Sequence, residues 1–202
     1  MVEVGSLKIL DILANASATI AEGEVLQLTV SQNIKTDEET YLKVVRGKTA
    51  ALFSAATQVG GQVAGANEED CNALYEYGDA LGIAFQIIDD LLDVEGNLQI
   101  TGKNICDDFR ERKLTMPFIK AIQNSTKSEL EFWKRTIEKG NQNDQDWDTA
   151  LSLMNKYQAI TKTRQEAEMW VEQAKRALSK LPESEMLILL SELADYVLTR
   201  SK

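Results

Sequence analysis

Apolar residues recur at helical spacing along most of the chain. Leu, Ile and Ala follow this spacing from Val4 to Gln32, which predicts a first helix. A second helix is predicted to begin at Asp37, a capping residue followed by Glu38 and Glu39, and to run to about Gly61. Because no convincing period-2 alternation is visible, the pattern favours an all-α protein.

The rest of the chain also divides into helices and polar connections. The two prolines leave room for long helices, and Pro117 is tolerable in a first helical turn. We predict a helix from Glu68 to Val94 that Gly96 and Asn97 stop, a polar connection to Asp108, a helix from near Lys113, a loop from Lys139 to Asp148, and helices within Thr149 to Leu181 and Ser184 to Arg200.

Two segments carry expectations about packing. Small residues crowd the stretch from Thr49 to Gly61, so we expect a neighbouring helix to approach it closely. The helix from Val4 to Gln32 is apolar on too many faces for a free surface helix, so we expect another chain or further sequence to cover it. An apolar helical pattern follows Met1 almost at once, which is typical of a chain that starts at an internal methionine.

Composition narrows the class of protein. With 22 basic and 32 acidic residues the net charge is −10, which disfavours a nucleic acid partner. Histidine is absent, and Cys71 and Cys106 are far apart, so reduced thiols are favoured over a zinc site or a disulfide. No apolar run could span a bilayer and no signal peptide is visible. We expect one soluble, cytoplasmic domain over residues 1–202.

The helix from Tyr77 to Gly96 carries the clearest candidate chemistry. Its polar residues fall on one narrow stripe while the other faces are apolar, which predicts that the helix is buried. Buried carboxylates must be paired, protonated or bound to a metal. The stripe consists of Asp79, Gln86, Asp89, Asp90 and Asp93.

Carboxylates crowded into one helical turn favour a hard divalent cation. Asp89 and Asp93 can reach the same side of one magnesium ion, which takes few carboxylates together with water and phosphate oxygens. The alternative is a solvated acidic turn. Cations that follow, Lys103, Arg110 and Lys113, favour a site for a diphosphate.

Lys48 and Thr49 form a second candidate group. The alternative is that they are ordinary solvated residues of a surface helix. A phosphate-binding loop is excluded, because the first glycine at the required spacing is missing and no strand precedes Gly47.

Several stretches, in the family's order and spacing, resemble signatures of the trans-isoprenyl diphosphate synthases. The local sequence around Gly23 is most similar to that of bacterial octaprenyl and related long-chain synthases. The stretches are Glu22-Gly23-Glu24 with Gln27-Leu28; Tyr41 with Gly47-Lys48-Thr49-Ala50; Phe85-Gln86-Ile87-Ile88-Asp89-Asp90-Leu91-Leu92-Asp93 with Gly96, similar to the second aspartate-rich motif; and Thr101-Gly102-Lys103, Asp108-Phe109-Arg110-Glu111 and Lys113-Leu114-Thr115-Met116-Pro117.

This resemblance implies a multi-helix bundle around a central cavity, usually a homodimer. It implies a prenyltransferase that uses Mg²⁺ to join isopentenyl diphosphate to an allylic prenyl diphosphate. The allylic diphosphate ionises, isopentenyl diphosphate attacks the carbocation in a 1′-4 condensation, and a proton is lost.

The resemblance also implies roles for individual residues. Asp89 would hold the third magnesium ion, and the other acidic residues of the site would support it directly or through water. Carried over by position, the supporting acids are Asp90, Asp93 and Asp108; the contacts to the allylic diphosphate are Lys48, Lys103 and Lys113; Thr49 and Gln86 flank the carbocation; and Gln27 lines the cavity.

The sequence departs from the family at two places. Cys106-Asp107-Asp108 replaces a common Gly-x-Asp, and nothing before Gly23 resembles the first aspartate-rich motif or the basic residues near it. We therefore expect a C-terminal portion, incomplete at the N-terminus, that is inactive alone.

Two other classes remain as alternatives. A non-catalytic subunit of a heteromeric synthase is the main one, although the retained aspartates argue against it. Terpene cyclases are disfavoured, because the Gly102-Lys103 turn and the stretch from Lys113 to Pro117 resemble elongating synthases.

Overall fold

A computed structural model describes residues 5–95 and 106–200 of the protein. Within these ranges the regular structure is entirely helical, which confirms the all-α prediction. The α-helices are α1 (Leu7–Val30), α2 (Glu38–Val45), α3 (Ala51–Val63), α4 (Glu68–Glu95), α5 (Asp107–Arg110), α6 (Met116–Gln123), α7 (Lys127–Trp133), α8 (Asp146–Lys156), α9 (Ala159–Leu178) and α10 (Glu185–Thr199), with π-helical turns at Arg46–Ala50 and Lys134–Glu138.

Local sequence signals set several of these ends. The carboxylate of Asp37 accepts a hydrogen bond from the backbone N–H of Thr40 at 2.8 Å, so the predicted cap of α2 is confirmed. Pro117 lies in the first turn of α6, as predicted. The predicted loop from Lys139 is shorter than expected, because α8 begins at Asp146, whose carboxylate pairs with Arg135 at 2.6 Å.

The second predicted helix is confirmed, since the backbone is helical without a break from Glu38 to Val63. It contains a π-helical turn between α2 and α3 that the sequence pattern did not predict. A π-helical turn accommodates one extra residue per turn and has no sequence signature of its own, so helical periodicity alone did not reveal it.

The described residues divide into two compact units. One contains residues up to Leu26 together with Lys43–Gln86 and Ala167–Arg200, and the other contains Gln27–Leu42 and the described part of Ile87–Glu166. The single domain over residues 1–202 stays a prediction.

Glycines of α4 hold the first unit together. A Cβ at Gly78 would lie 2.6 Å from Ser54 Cα, and one at Gly82 would lie 2.6 Å from Ala50 Cα. The two backbones therefore touch along the small-residue stretch, which confirms the predicted close approach of a neighbouring helix.

Three aromatic residues pack together in the core of the second unit. The rings of Phe118 and Trp133 meet edge to face, with centroids 6.1 Å apart, and Phe109 stacks on Phe118 at the same distance. All three side chains are buried, and Val94 near the end of α4 packs in the same cluster. This core anchors the last turns of α4.

Helix α1 exposes much of its apolar surface. Leu7 is 83% exposed and Leu28 is 76% exposed, whereas only Ile9, Ala16 and Gly23 are buried. That other protein covers this helix stays a prediction. No helix within the described ranges is both long enough and apolar enough to cross a membrane.

We predict opposite effects for two glycine-to-alanine substitutions in the first unit. Gly82→Ala should lower the free energy of unfolding by about 1–3 kcal/mol, because the new methyl group overpacks the contact with Ala50. Gly60→Ala is the matched control, since no other atom lies within 4 Å of its Cβ position. It should raise stability by about 0.5–1 kcal/mol through helix propensity.

Urea unfolding of the two variants beside the original chain measures both effects. Equal stability of Gly82→Ala and Gly60→Ala would contradict the close packing of α4.

Candidate active site

The aspartates of α4 lie in a buried helix, as the sequence predicts. Ile87 and Leu91, on its apolar faces, are 0% and 1% exposed. Asp90 is buried at 4% exposure, whereas Asp89 and Asp93 are half-buried. The three carboxylates therefore differ in their access to solvent and to a ligand.

Asp90 has a specific partner in Tyr41. The Tyr41 hydroxyl donates a hydrogen bond of 2.5 Å to Asp90 Oδ2. Burial, followed by the negative charge of Asp90, raises the pKa of Tyr41 well above its usual value, so the hydroxyl keeps its proton and remains a donor. Sequence reasoning missed this contact, because the two residues are 49 positions apart and only the fold brings them together.

The acidic cluster consists of Asp89, Asp90 and Asp93 on α4 together with Asp108 on α5. Lys113 lies beside it. The backbone N–H of Asp108 donates to Asp93 Oδ2 at 3.2 Å, and Lys113 Nζ lies 3.6 Å from Asp108 Oδ1. Lys113 also pairs with Glu111 at 2.5 Å. Glu111 was quoted in the resemblance, but sequence reasoning gave it no role.

The electrostatics of Asp108 reflect this crowding. Burial raises the pKa of Asp108 to about 6, and the negative charge of Asp93 adds to the effect while Lys113 opposes it. A cation placed beside such a buried, repelled carboxylate would stabilise its charged form.

The acidic cluster fits a magnesium ion that takes only part of its ligands from protein. Across residues 5–95 and 106–200, no three carboxylate or thiol groups form a ready-made metal cage. Magnesium usually binds through one or two carboxylates and completes its shell with water and phosphate oxygens. Half-buried Asp89 and Asp93, one turn apart on α4, suit that mode.

In the first unit, the π-helical turn carries Lys48 and Thr49. The Thr49 hydroxyl donates to Gln86 Oε1 at 2.9 Å, so two residues that sequence reasoning assigned to one role are in contact. Lys48 Nζ lies 3.3 Å from Glu24 Oε2, and both side chains are partly exposed. Such a partly exposed pair contributes little to stability.

Gly23 shapes this turn. A Cβ on Gly23 would lie 2.4 Å from the backbone nitrogen of Lys48 and 2.7 Å from the carbonyl carbon of Gly47. Only a glycine lets α1 pack this closely, so a residue quoted as part of a family signature supports the turn that carries Lys48.

The remaining predicted residues have less defined positions. Asp79 accepts hydrogen bonds of 3.0 and 3.1 Å from Arg46 Nε, so this member of the polar stripe belongs to an ion pair. Gln27 is half-buried in α1. Lys103 lies outside the described residues, together with Gly96, Asn97, Thr101 and Gly102.

Comparison with known proteins identifies a family. The polyprenyl synthetase profile matches residues 1–154. Octaprenyl diphosphate synthase of Escherichia coli is 40% identical over 197 residues, which cover 96% of this chain and 61% of that protein.

Solved structures agree with the sequence match. A decaprenyl diphosphate synthase from Rhodobacter capsulatus is 56% identical, with a TM-score of 0.94 over 100% of this chain and 62% of that one. A polyprenyl synthase from Caulobacter crescentus, complexed with calcium and isoprenyl diphosphate, is 42% identical with a TM-score of 0.93, covering 99% of this chain and 61% of that one. The chain therefore spans about three fifths of the length of these relatives.

We predict that Asp108 makes the metal-free protein less stable as pH rises. The folded pKa of about 6 exceeds the usual value of 3.8, so the folded state binds the proton more tightly. Stability from this group is full below about pH 4 and is lost between there and about pH 6. Asp108→Asn should therefore raise the free energy of unfolding by up to about 3 kcal/mol at pH 7 and by little at pH 4.

Urea unfolding with a chelator at both pH values measures the difference. Asp148→Asn, an exposed position in the same unit, is the control and should show no such trend. An equal gain for Asp108→Asn at pH 4 and pH 7 would contradict the raised pKa.

Proposed function

This chain belongs to the polyprenyl synthetase family of trans-isoprenyl diphosphate synthases, and we propose that it takes part in joining isopentenyl diphosphate to an allylic prenyl diphosphate in a 1′-4 condensation. The observation that carries the proposal is the acidic cluster on α4 and α5, where burial among like charges raises the pKa of Asp108 to about 6. Such a cluster is suited to a divalent cation and the diphosphate that accompanies it.

We assign magnesium binding to Asp89 and Asp93, with Asp90 and Asp108 in support. When bound, the ion would neutralise the negative charge that develops on the departing diphosphate. The Caulobacter relative supports this assignment, because calcium, which prefers the same oxygen ligands, accompanies isoprenyl diphosphate in that protein.

The cations would bind the allylic diphosphate. Lys113 Nζ already lies beside Asp108 and Glu111, so its charge is held at the acidic cluster while its flexible stem can turn toward a phosphate. Lys48 and Lys103 are assigned the same role. As point charges, lysines suit a diphosphate whose oxygens move apart from the prenyl group during ionisation.

Thr49 and Gln86 are proposed to stabilise the allylic carbocation. Their hydrogen bond of 2.9 Å fixes the orientation of both groups before the substrate binds. Preorganised dipoles lower a barrier without reorganising during the reaction. Gln27 is assigned to the lining of the hydrocarbon cavity.

The family also supports a proposed homodimer with a long-chain product. The relatives include octaprenyl and decaprenyl diphosphate synthases. Helix α1, with Leu7, Val25 and Leu28 exposed, is a surface that protein contacts would cover. A non-catalytic subunit is less well supported, because the acidic cluster is retained.

We predict that the chain binds pyrophosphate with magnesium better than either component alone, because phosphate oxygens complete the shell of the ion. Asp89→Asn should weaken this binding by about tenfold or more, since contacts to charged groups are worth about 1.5–3 kcal/mol. Isothermal titration calorimetry measures both effects, with exposed Asp148→Asn as the control. Equal binding with and without magnesium would sink the metal assignment.

We also predict that these 202 residues alone will not condense prenyl diphosphates at a meaningful rate. Loss of one strong electrostatic contributor costs on the order of a hundred- to a thousandfold, and the first aspartate-rich motif would supply several. The assay is incorporation of labelled isopentenyl diphosphate into butanol-extractable product with magnesium and a geranyl or farnesyl starter.

The octaprenyl diphosphate synthase of Escherichia coli is the positive control for this assay. Turnover near that of the control would refute the prediction. Light scattering on the same sample tests the proposed dimer. A monomer that also fails to bind a dye specific for exposed apolar surface would contradict it.

A further inference from the structure

Helix α2 is tied to its surroundings at two points on one face. Glu38 and Tyr41 lie one turn apart, so their side chains project to the same side of the helix. Glu38 Oε2 lies 2.8 Å from Lys120 Nζ, and the Tyr41 hydroxyl donates to Asp90 Oδ2 at 2.5 Å. The short helix therefore links a buried cation on α6 to a buried carboxylate on α4.

Lys120 is an unusual member of its helix. In α6, every residue from Met116 to Ile122 is buried, and Lys120 is only 8% exposed. Its ammonium group lies between Glu38 and Glu166, the latter at 3.7 Å. A buried cation with two carboxylate partners holds them in place, because removal of the cation would leave both uncompensated.

Asp90 is the aspartate of α4 that this arrangement reaches. At 3.6 residues per turn, Asp93 lies between the other two around the helix, about 40° from Asp89 and about 60° from Asp90. Burial separates Asp90 from the pair, since it is 4% exposed and the other two are half-buried. Tyr41 donates to one oxygen of the most deeply buried of the three carboxylates.

We propose that Tyr41 is a positioning residue that holds Asp90 outside the first coordination shell of the ion, and that Lys120, through Glu38, fixes the helix that carries it. This inference rests on the proposed function. Asp90 then acts as a fixed anion that contributes charge but no metal contact. Asp89 and Asp93 are left as the carboxylates that bind.

The arrangement predicts how three variants bind magnesium pyrophosphate in calorimetry on the full chain. Asp90→Asn should lose only about threefold, because it removes a supporting charge while the amide oxygen still accepts the Tyr41 hydrogen bond, whereas Asp89→Asn should lose about tenfold or more. Tyr41→Phe should lose about tenfold, because the Asp90 carboxylate loses the Tyr41 hydrogen bond that holds its orientation in the cluster.

The double variant separates positioning from a purely structural role. With Asp90→Asn added to Tyr41→Phe, the displaced charge no longer exists, so binding should recover toward that of Asp90→Asn alone. A hydrogen bond needed only for folding would leave the double variant as weak as Tyr41→Phe or weaker. Tyr75→Phe, at a 44% exposed tyrosine, is the matched control.

The Lys120 part of the proposal has its own pair of variants. Lys120→Met should weaken binding as Tyr41→Phe does, whereas Lys162→Met, at an exposed lysine of α9, should have no effect. Circular dichroism identifies any variant that fails to fold. If Tyr41→Phe does not fold, the comparison of Asp90→Asn with Asp89→Asn still decides the issue.

Several results would overturn the proposal. An Asp90→Asn variant that loses as much binding as Asp89→Asn would make Asp90 a direct ligand. Original-level binding by Tyr41→Phe would remove the positioning role, and original-level binding by Lys120→Met would remove the part played by α6. A chain that binds no magnesium pyrophosphate would overturn the proposed function, and this inference with it.

Discussion

The burial of α4 is the constraint on which the rest of the candidate site depends. A helix that is apolar on nearly every side must be enclosed, and its carboxylates go with it into a medium that penalises charge. Each acid then needs a compensating group. Asp79 is paired with Arg46, Asp90 accepts from Tyr41, and Asp93 accepts from the backbone of Asp108.

These compensations differ in strength, and the difference separates structural acids from acids suited to chemistry. Asp90 is buried and has a short hydrogen bond, whereas Asp108 has a distant lysine at 3.6 Å and a pKa raised to about 6. A well-paired acid gains little from an added cation. An acid under repulsion gains much, so the weakly compensated end of the cluster is where a metal and a diphosphate contribute most.

In the first unit, close backbone packing positions the candidate residues. Gly23 allows α1 to meet the π-helical turn that carries Lys48 and Thr49, while Gly82 lets α4 touch Ala50 at the end of the same turn. A turn with irregular hydrogen bonding is held in place by neighbours that leave it no room to relax. The same turn carries Thr49, whose hydroxyl donates to Gln86 Oε1.

The sequence by itself determined the helical class, the cap of α2 at Asp37, the burial of α4 and the identity of the acidic cluster, because each of these depends on periodicity or on neighbouring residue types. The tertiary structure decided which acid has which partner. Tyr41 and Asp90 are 49 positions apart, and no local pattern encodes their hydrogen bond. The π-helical turn at Arg46–Ala50 likewise became visible only in the structure, because such a turn is formed by the same residue types as the α-helix around it.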